Sequence, residues 1–399
     1  MTAPHPTPPP VPLVLAGARG HGRLHLENIR RLEAAGRVRL AGVCDLTPLE
    51  ADELAGFASP PRQSSDFAAL LDATGARVAV VCTPLQTHAD LAAAAAARGV
   101  HLLLEKPPAA SWSAHRRVEE AVREAGTACQ IGFQALGSHA LPAIRELVAS
   151  GAVGRVRGVA AAGAWVRDTA YWARAPWAGR RRLNGVDVVD GVLTNPLAHA
   201  VSTALALAGT DRGEDVTGVT TELLRANDIE ADDTSCVRVT TDRGVDVVVA
   251  ATLCAERAGE PYVLVHGESG RITFWYKQDR VLVQRAGHGP EEHVYDRTDL
   301  LENLLDHLAD GTELIAPPAR SGAFMRVLEA VRTAPDPRPL PPDAWHTAHD
   351  TPAPRRVVRG VDGLVAACAD TLRLFSETGA EPWAAPSATS ASLGTRSAS

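Results

Sequence analysis

Lysine is almost missing from this chain: of 40 basic residues only Lys106 and Lys277 are lysines, the other 38 being arginines. Only an amine can shed its proton near neutral pH, so a lysine kept in such a background marks a place where arginine would not serve. Aromatic residues are scarce too, at 4%, which leaves Ala, Val and Leu to build the interior. The six cysteines are scattered without a C-x-x-C pair, so neither a disulfide framework nor a zinc site is encoded. No apolar run reaches the ~18 residues that span a bilayer. No basic block offsets the net charge of −7, which argues against nucleic acid as a partner. H-E-x-x-H, G-x-S-x-G and G-x-x-x-x-G-K-[ST] do not occur. His346-x-x-His349 lies in a Pro-flanked stretch without further ligand candidates, so it reads as surface and no metal is expected. The Pro-rich start, Met1 to Pro12, carries no Lys or Arg and is not a signal peptide; a cytoplasmic protein is expected.

What is present suits two globular domains: 399 residues, 45% apolar and 22% charged. Residues 1–12 and 376–399 are rich in Pro, Ala, Ser and Thr and read as disordered tails. Over 13–133, strand and helix signals alternate. Apolar runs at Val11–Gly17, Val38–Asp45, Arg77–Thr83, Val100–Leu104 and Thr127–Phe133 are separated by helical stretches at Arg23–Ala35, Asp66–Leu71, His88–Arg98 and Trp112–Ala125. Thr87-x-x-Asp90 reads as a capping box for the third helix. Strands apolar throughout belong to a parallel sheet covered on both faces, so this half is a doubly wound α/β domain. Over 134–375, more nearly alternating strands (Ser235–Thr241, Asp246–Thr252, Tyr262–His266) sit among helices at Leu141–Ala149, Leu300–Ala309, Ala323–Thr333 and Val361–Phe375. That pattern describes an α+β domain with a largely antiparallel sheet.

The first strand runs into Gly17-Ala18-Arg19-Gly20-His21-Gly22 and then a helix. Glycines there let backbone N–H groups approach a pyrophosphate at the positive end of the helix. Gly17 and Gly22 take the first and third places of G-x-G-x-x-G, while Arg19 takes the second. Asp45 ends the second strand, 23 residues beyond Gly22, where a carboxylate accepts from an adenosine ribose; with no arginine close in sequence, NAD is favoured over NADP.

Glu105-Lys106-Pro107 follows the fourth of those apolar runs, at the sheet edge where open α/β folds bind ligands. Lys106 there can bond a substrate hydroxyl or help move its proton. Asn195 and His199 stand four apart at the start of a helical run and can reach one site. A histidine is the natural proton acceptor when an alcohol gives up hydride. Between Trp165 and Arg182 lie Trp165, Tyr171, Trp172, Trp177 and five arginines. Flat rings suit the C–H face of a sugar, and Arg167, Arg174, Arg180 or Arg181 could hold a carboxylate or phosphate; an oligomer interface has the same composition. Asp187 and Asp190, just before the Asn195 segment, either line the same cleft or cap a loop, the loop reading being favoured.

The order of glycine turn, Asp45, Cys82-Thr83-Pro84 with His88, and Glu105-Lys106-Pro107 resembles the glucose–fructose oxidoreductase / inositol dehydrogenase (Gfo/Idh/MocA) family. The resemblance implies a Rossmann domain followed by an α/β domain whose open sheet makes homodimer or homotetramer contacts. It implies NAD(P)-dependent hydride transfer between nicotinamide and a sugar, sugar acid or cyclitol, with Thr83, Pro84, His88 and Glu105 joining the turn at the dinucleotide. The family's lysine maps onto Lys106, and its Asp-x-x-x-His onto Asn195 and His199, with Asn in place of Asp. Its arginine-bearing motif after the fifth strand is replaced by Gln134-Ala135-Leu136-Gly137. A redox-cycled lyase or glycosidase and a non-catalytic dinucleotide or sugar sensor are the competing expectations. Trp165, Arg167, Tyr171, Trp172, Asn195, His199 and Lys106 are the expected substrate contacts.

Overall fold

The computed structural model describes residues 9–384 and the backbone of 389–392. Strands β1 (Val11–Ala16), β2 (Val38–Cys44), β3 (Arg62–Ser64), β4 (Val78–Val81), β5 (His101–Leu104) and β6 (Cys129–Ile131) form one parallel sheet. Its order is β3-β2-β1-β4-β5-β6, so the strand order reverses between β1 and β4. In doubly wound sheets the ligand crevice opens at that reversal. Helix α1 (Gly22–Ala34) buries His25, Leu26, Ile29 and Leu32, one helical stripe turned to the sheet. Helices α2 (Phe67–Thr74), α3 (His88–Ala96) and α4 (Trp112–Ala125) complete the βα alternation.

Some local expectations shift. The first strand begins at Val11, inside the segment expected to be a tail, because the Val11 amide donates to Arg37 O at 3.0 Å. Residues 1–8 of that segment lie outside the described residues. Thr87 does not cap α3. It closes a one-turn 3₁₀ helix, and its hydroxyl donates to Pro84 O at 2.7 Å.

The chain divides into two units, the first comprising the residues through Ala109, Ser113–Gly132 and Leu300–Pro318. The return of Leu300–Pro318 to the first unit has a packing cause. Leu300, Leu301, Leu304 and Leu305 join the core built by Leu13, Leu15 and Ile29. Buried Gln130 accepts from the Ala316 amide at 2.7 Å and donates to Asn303 Oδ1 at 2.5 Å.

The second unit holds α5 (Ala140–Ala149), β7 (Val156–Ala164), α6 (Thr169–Trp172), a small hairpin β8–β9 (Arg182–Leu183 and Val186–Asp187) and α7 (Ala198–Leu207). Strands β10 (Val216–Arg225), β11 (Thr234–Thr241), β12 (Asp246–Thr252), β13 (Tyr262–Gly267), β14 (Gly270–Trp275), β15 (Arg280–Arg285), β16 (Glu291–Val294) and β17 (Arg338–Pro339) follow. They form a sheet ordered β16-β15-β14-β13-β7-β12-β11-β10-β17, antiparallel except at β12–β7 and β10–β17. The centre of this sheet does not alternate, because both its faces are covered. A side chain at Gly158 of β7 would strike Leu372, and one at Gly163, on the opposite face, would strike Leu197.

The expected helix over Val361–Phe375 ends at Thr371, where Leu372 turns left-handed at φ +56°; a short helix restarts at Phe375. The tail expected to be disordered from 376 is packed as far as Ala384. Trp383 and Ala384 are buried with Phe375, and Arg338 donates to Trp383 O at 2.7 Å. Composition misleads there because two aromatics do the packing. Residues 389–392 pair antiparallel with β10; the remainder of 385–399 lies outside the described residues. All six cysteines are free, and no helix among the described residues is long and apolar enough to cross a membrane.

Candidate active site

The first unit's turn is shaped by contacts that only glycine permits. Gly17 has φ +80°, and a Cβ there would stand 2.4 Å from Cys82 O at the end of β4. A Cβ at Gly22 would stand 2.0 Å from Gly17 O. Gly20 (φ +58°) faces open space, so its need is conformational. The turn therefore presses main chain against main chain at the β1/β4 reversal, which fits a diphosphate laid across the start of α1. Asp45 is part of the same assembly: its Oδ2 accepts from the Ala18 amide at 3.0 Å. Arg19 turns the other way, donating to Pro48 O at 2.9 Å and pairing with Glu53 at 3.2 Å. An arginine thus stands beside the residues that follow Asp45, although none is near them in sequence.

Glu105 sits at the end of β5 and is buried. Its carboxylate has room because position 132 is glycine; a Cβ there would lie 2.8 Å from it. His25 Nε2 is 2.9 Å and His21 Nε2 3.6 Å from Glu105 Oε1, and the Lys106 amide donates to Oε2 at 3.0 Å. Burial alone would raise the Glu105 pKa. The two imidazoles outweigh it and hold the carboxyl well below its usual range. Lys106 follows, half-buried, before a cis bond to Pro107. His88 is buried, with Nδ1 2.8 Å from Pro107 O and Nε2 2.8 Å from Thr83 O. It ties the ends of β4 and β5 together, and burial pushes its pKa down. Thr83 Oγ1 lies 2.6 Å from Thr87 Oγ1, and Pro84 begins the 3₁₀ turn.

In the second unit Asn195 is not on the helix that carries His199. Its amide donates to Gly191 O at 3.1 Å, Pro196 follows, and α7 starts only at Ala198. The Asn195 side chain donates to Asp190 Oδ1 at 2.6 Å. Asp190 also accepts from the Gly179 amide at 2.8 Å and from Arg174 at 3.0 and 3.3 Å. It is a buried hub and not a loop cap; burial pushes its pKa up against these partners. The Gly191 turn is closed by Asp232, which a Cβ at Gly191 would meet at 2.1 Å. His199 is half-buried, edge-on to Phe133 (5.8 Å between centroids) and 6.5 Å from the Tyr276 ring. Burial raises the Tyr276 hydroxyl pKa strongly. Asp190 stood out in sequence only as a cleft-lining or loop residue, and Tyr276 carried no sequence signal.

The aromatic–arginine stretch folds into stacked layers. The Arg167 guanidinium lies 4.9 Å from the Trp165 and Tyr171 ring centres, and Arg174 lies 3.7 Å from Tyr171 and 4.6 Å from Trp177. Trp172 meets Tyr171 edge-on at 4.9 Å and lines a separate cleft of about 1000 Å³ with Arg180, Arg182 and Arg332. Several of the cleft's charges are paired: Arg182 and Arg332 both reach Asp187, and Arg180 reaches Glu230. Arg181 donates to the carbonyls of Val331, Arg332 and Ala334, closing the helix Gly322–Thr333. Asn195 and His199 are not among this cleft's lining residues.

Residues 13–133 match the oxidoreductase-family NAD-binding Rossmann fold of GFO_IDH_MocA, and residues 142–273 match a C-terminal domain of the same family. The chain belongs to the Gfo/Idh/MocA oxidoreductases. A 4-carboxy-2-hydroxymuconate-6-semialdehyde dehydrogenase from Sphingobium is 28% identical over 120 residues, covering 30% of this chain and 37% of that protein. An inositol 2-dehydrogenase from Streptomyces avermitilis is 30% identical over 138 residues, covering 34% of this chain and 40% of that one. These matches span about two fifths of each relative's length. The fold is that of the WlbA dehydrogenase from Bordetella pertussis, solved with NADH and UDP-GlcNAcA: TM-score 0.66, 22% identity, covering 80% of this chain and 95% of that one. The family model matched over residues 13–133 is that of an NAD-binding Rossmann fold.

Proposed function

We propose that this family member is an NAD-dependent dehydrogenase acting on a carbinol of a sugar, sugar acid or cyclitol. The observation that carries the reading is Lys106. It is one of two lysines in the chain, and it leaves the carboxyl edge of the parallel sheet directly after a buried glutamate fixed by His25. The other lysine, Lys277, pairs with Glu260 at 3.4 Å and lies 5.6 Å from the Trp165 ring, an arrangement arginine would serve as well.

The glycine turn and Asp45 would hold the dinucleotide, which when bound supplies the hydride acceptor. His199 takes the hydroxyl proton of the substrate as its carbinol carbon is oxidised. Lys106 would bond a substrate hydroxyl beside the dinucleotide, polarising it in the alcohol and bearing its developing charge. Phe133 and Tyr276 hold the His199 ring in place. Trp165 and Tyr171, already stacked on Arg167, offer ring faces to substrate C–H groups.

The test is NADH formation across a panel of cyclitols, aldoses and sugar acids. With an active substrate, Lys106→Ala and His199→Ala each lower kcat by a factor of ~10² or more while NAD still binds. Full turnover in both variants overturns the assignment.

A further inference from the structure

We propose that His21, His25 and Glu105 form a binding site for a transition-metal cation of the Zn²⁺ class, set beside the glycine turn. The three side chains come from two places in the first unit: the start of α1, which carries His21 and His25, and the end of β5, which carries Glu105. One donor atom from each lies within 4.8 Å of the other two. Two ligands of a tetrahedral Zn²⁺ with bonds of 2.0–2.1 Å stand roughly 3.3 Å apart. The distances from Glu105 Oε1 to the two imidazoles, 2.9 and 3.6 Å, straddle that value. Each of these two distances differs from that value by only a few tenths of an ångström, and the two imidazoles lie within 4.8 Å of one another.

Two further features suit a metal. Glu105 brings a carboxylate, the anionic ligand of the three, to a buried place 2.9 Å from His25 Nε2. A divalent cation would compensate that charge more completely. Burial also differs along the cluster: Glu105 and His25 are enclosed, and the His21 side chain is 53% exposed. A cation could therefore enter from the His21 side, and a solvent molecule could complete its coordination. Two imidazoles and one carboxylate favour Zn²⁺ and its neighbours over Mg²⁺ or Ca²⁺, which prefer oxygen ligands alone. His21 is the residue whose presence turns a buried His–Glu pair into a three-ligand set.

The experiment is competition for Zn²⁺ between the full chain and a chromophoric chelator, with Co²⁺ absorption as a second readout of coordination. The expected result is one Zn²⁺ per chain and visible Co²⁺ bands of a four-coordinate site. His21→Ala alters an exposed side chain and should fold as the parent does, checked by circular dichroism. It should weaken Zn²⁺ binding tenfold or more and remove the Co²⁺ bands, whereas His346→Ala leaves both unchanged. Absence of stoichiometric Zn²⁺ uptake by the parent chain overturns the proposal, as does equal affinity in His21→Ala. The readouts do not depend on turnover, so a failed dehydrogenase assay would leave this result standing.

Discussion

Asn195 donates its side-chain amide to Asp190 Oδ1 across 2.6 Å, so a buried carboxylate stands one hydrogen bond from the position onto which the sequence resemblance maps an Asp. That contact explains why Asn can occupy the place. Asp190 is buried, its pKa is already raised by burial, and Arg174, Gly179 and Asn195 all serve as its donors. A second carboxylate there would face the first.

Asn195→Asp is therefore expected to destabilise the second unit in a pH-dependent way. Two carboxyls at this distance share a proton, which raises one pKa above its unfolded value. A raised pKa gives stability that is present at low pH and lost as pH rises through it. The variant should melt close to the parent near pH 4 and fall behind by on the order of 1–3 kcal/mol at pH 8. Thermal melts over that range are the check; a difference independent of pH would refute the shared proton.

The glycine turn offers a paired comparison. At Gly20 an added methyl meets nothing, so Gly20→Ala carries only the cost of a left-handed φ, roughly 1–2 kcal/mol. At Gly17 the methyl would drive into Cys82 O, main chain that cannot rotate away. Gly17→Ala should cost upwards of ~3 kcal/mol and abolish NAD binding by prising β1 from β4. Urea midpoints and an NAD titration of both variants would decide; equal losses would mean that φ, and not close approach, governs the turn.

Much of the first unit was readable because its signals are local. A strand, a glycine turn, a helix and an acid follow one another within some thirty residues, and the parallel sheet shows itself through unbroken apolar runs such as Val78–Val81. The Leu300–Pro318 return was not readable. Its partners, Leu13, Ile29 and Gln130, lie far off in sequence, and its own amphipathic pattern fits any apolar face. Distance also hid Gly132, whose missing Cβ leaves room for Glu105; Asp190 has its partners Arg174, Gly179 and Asn195 within 16 residues, but only the fold of that loop turns them onto its carboxylate. In the arginine stretch the residue types were plain but their use was not. Arg181 closes a helix 150 residues away and Arg174 serves Asp190, so neither is left over as a simple anion hook.

Glu105 supplies the last prediction, one about acid stability. Its folded pKa is held well below the ordinary ~4.3 by His25 and His21 in spite of burial. A depressed pKa gives stability that is fully present above the unfolded value and lost as pH falls through the folded one. Glu105→Gln keeps the shape and one acceptor oxygen but loses the charge, and the bond to His25 weakens accordingly. In chelator-treated buffer the variant should be less stable than the parent by about 2–3 kcal/mol at pH 7, a typical worth for hydrogen bonds to a charged group. As the medium is acidified below the unfolded carboxyl range, the parent loses this advantage and the two urea midpoints converge. Midpoints that stay parallel down to the acid transition would show that the carboxylate's charge contributes nothing, and that Glu105 is held by shape alone.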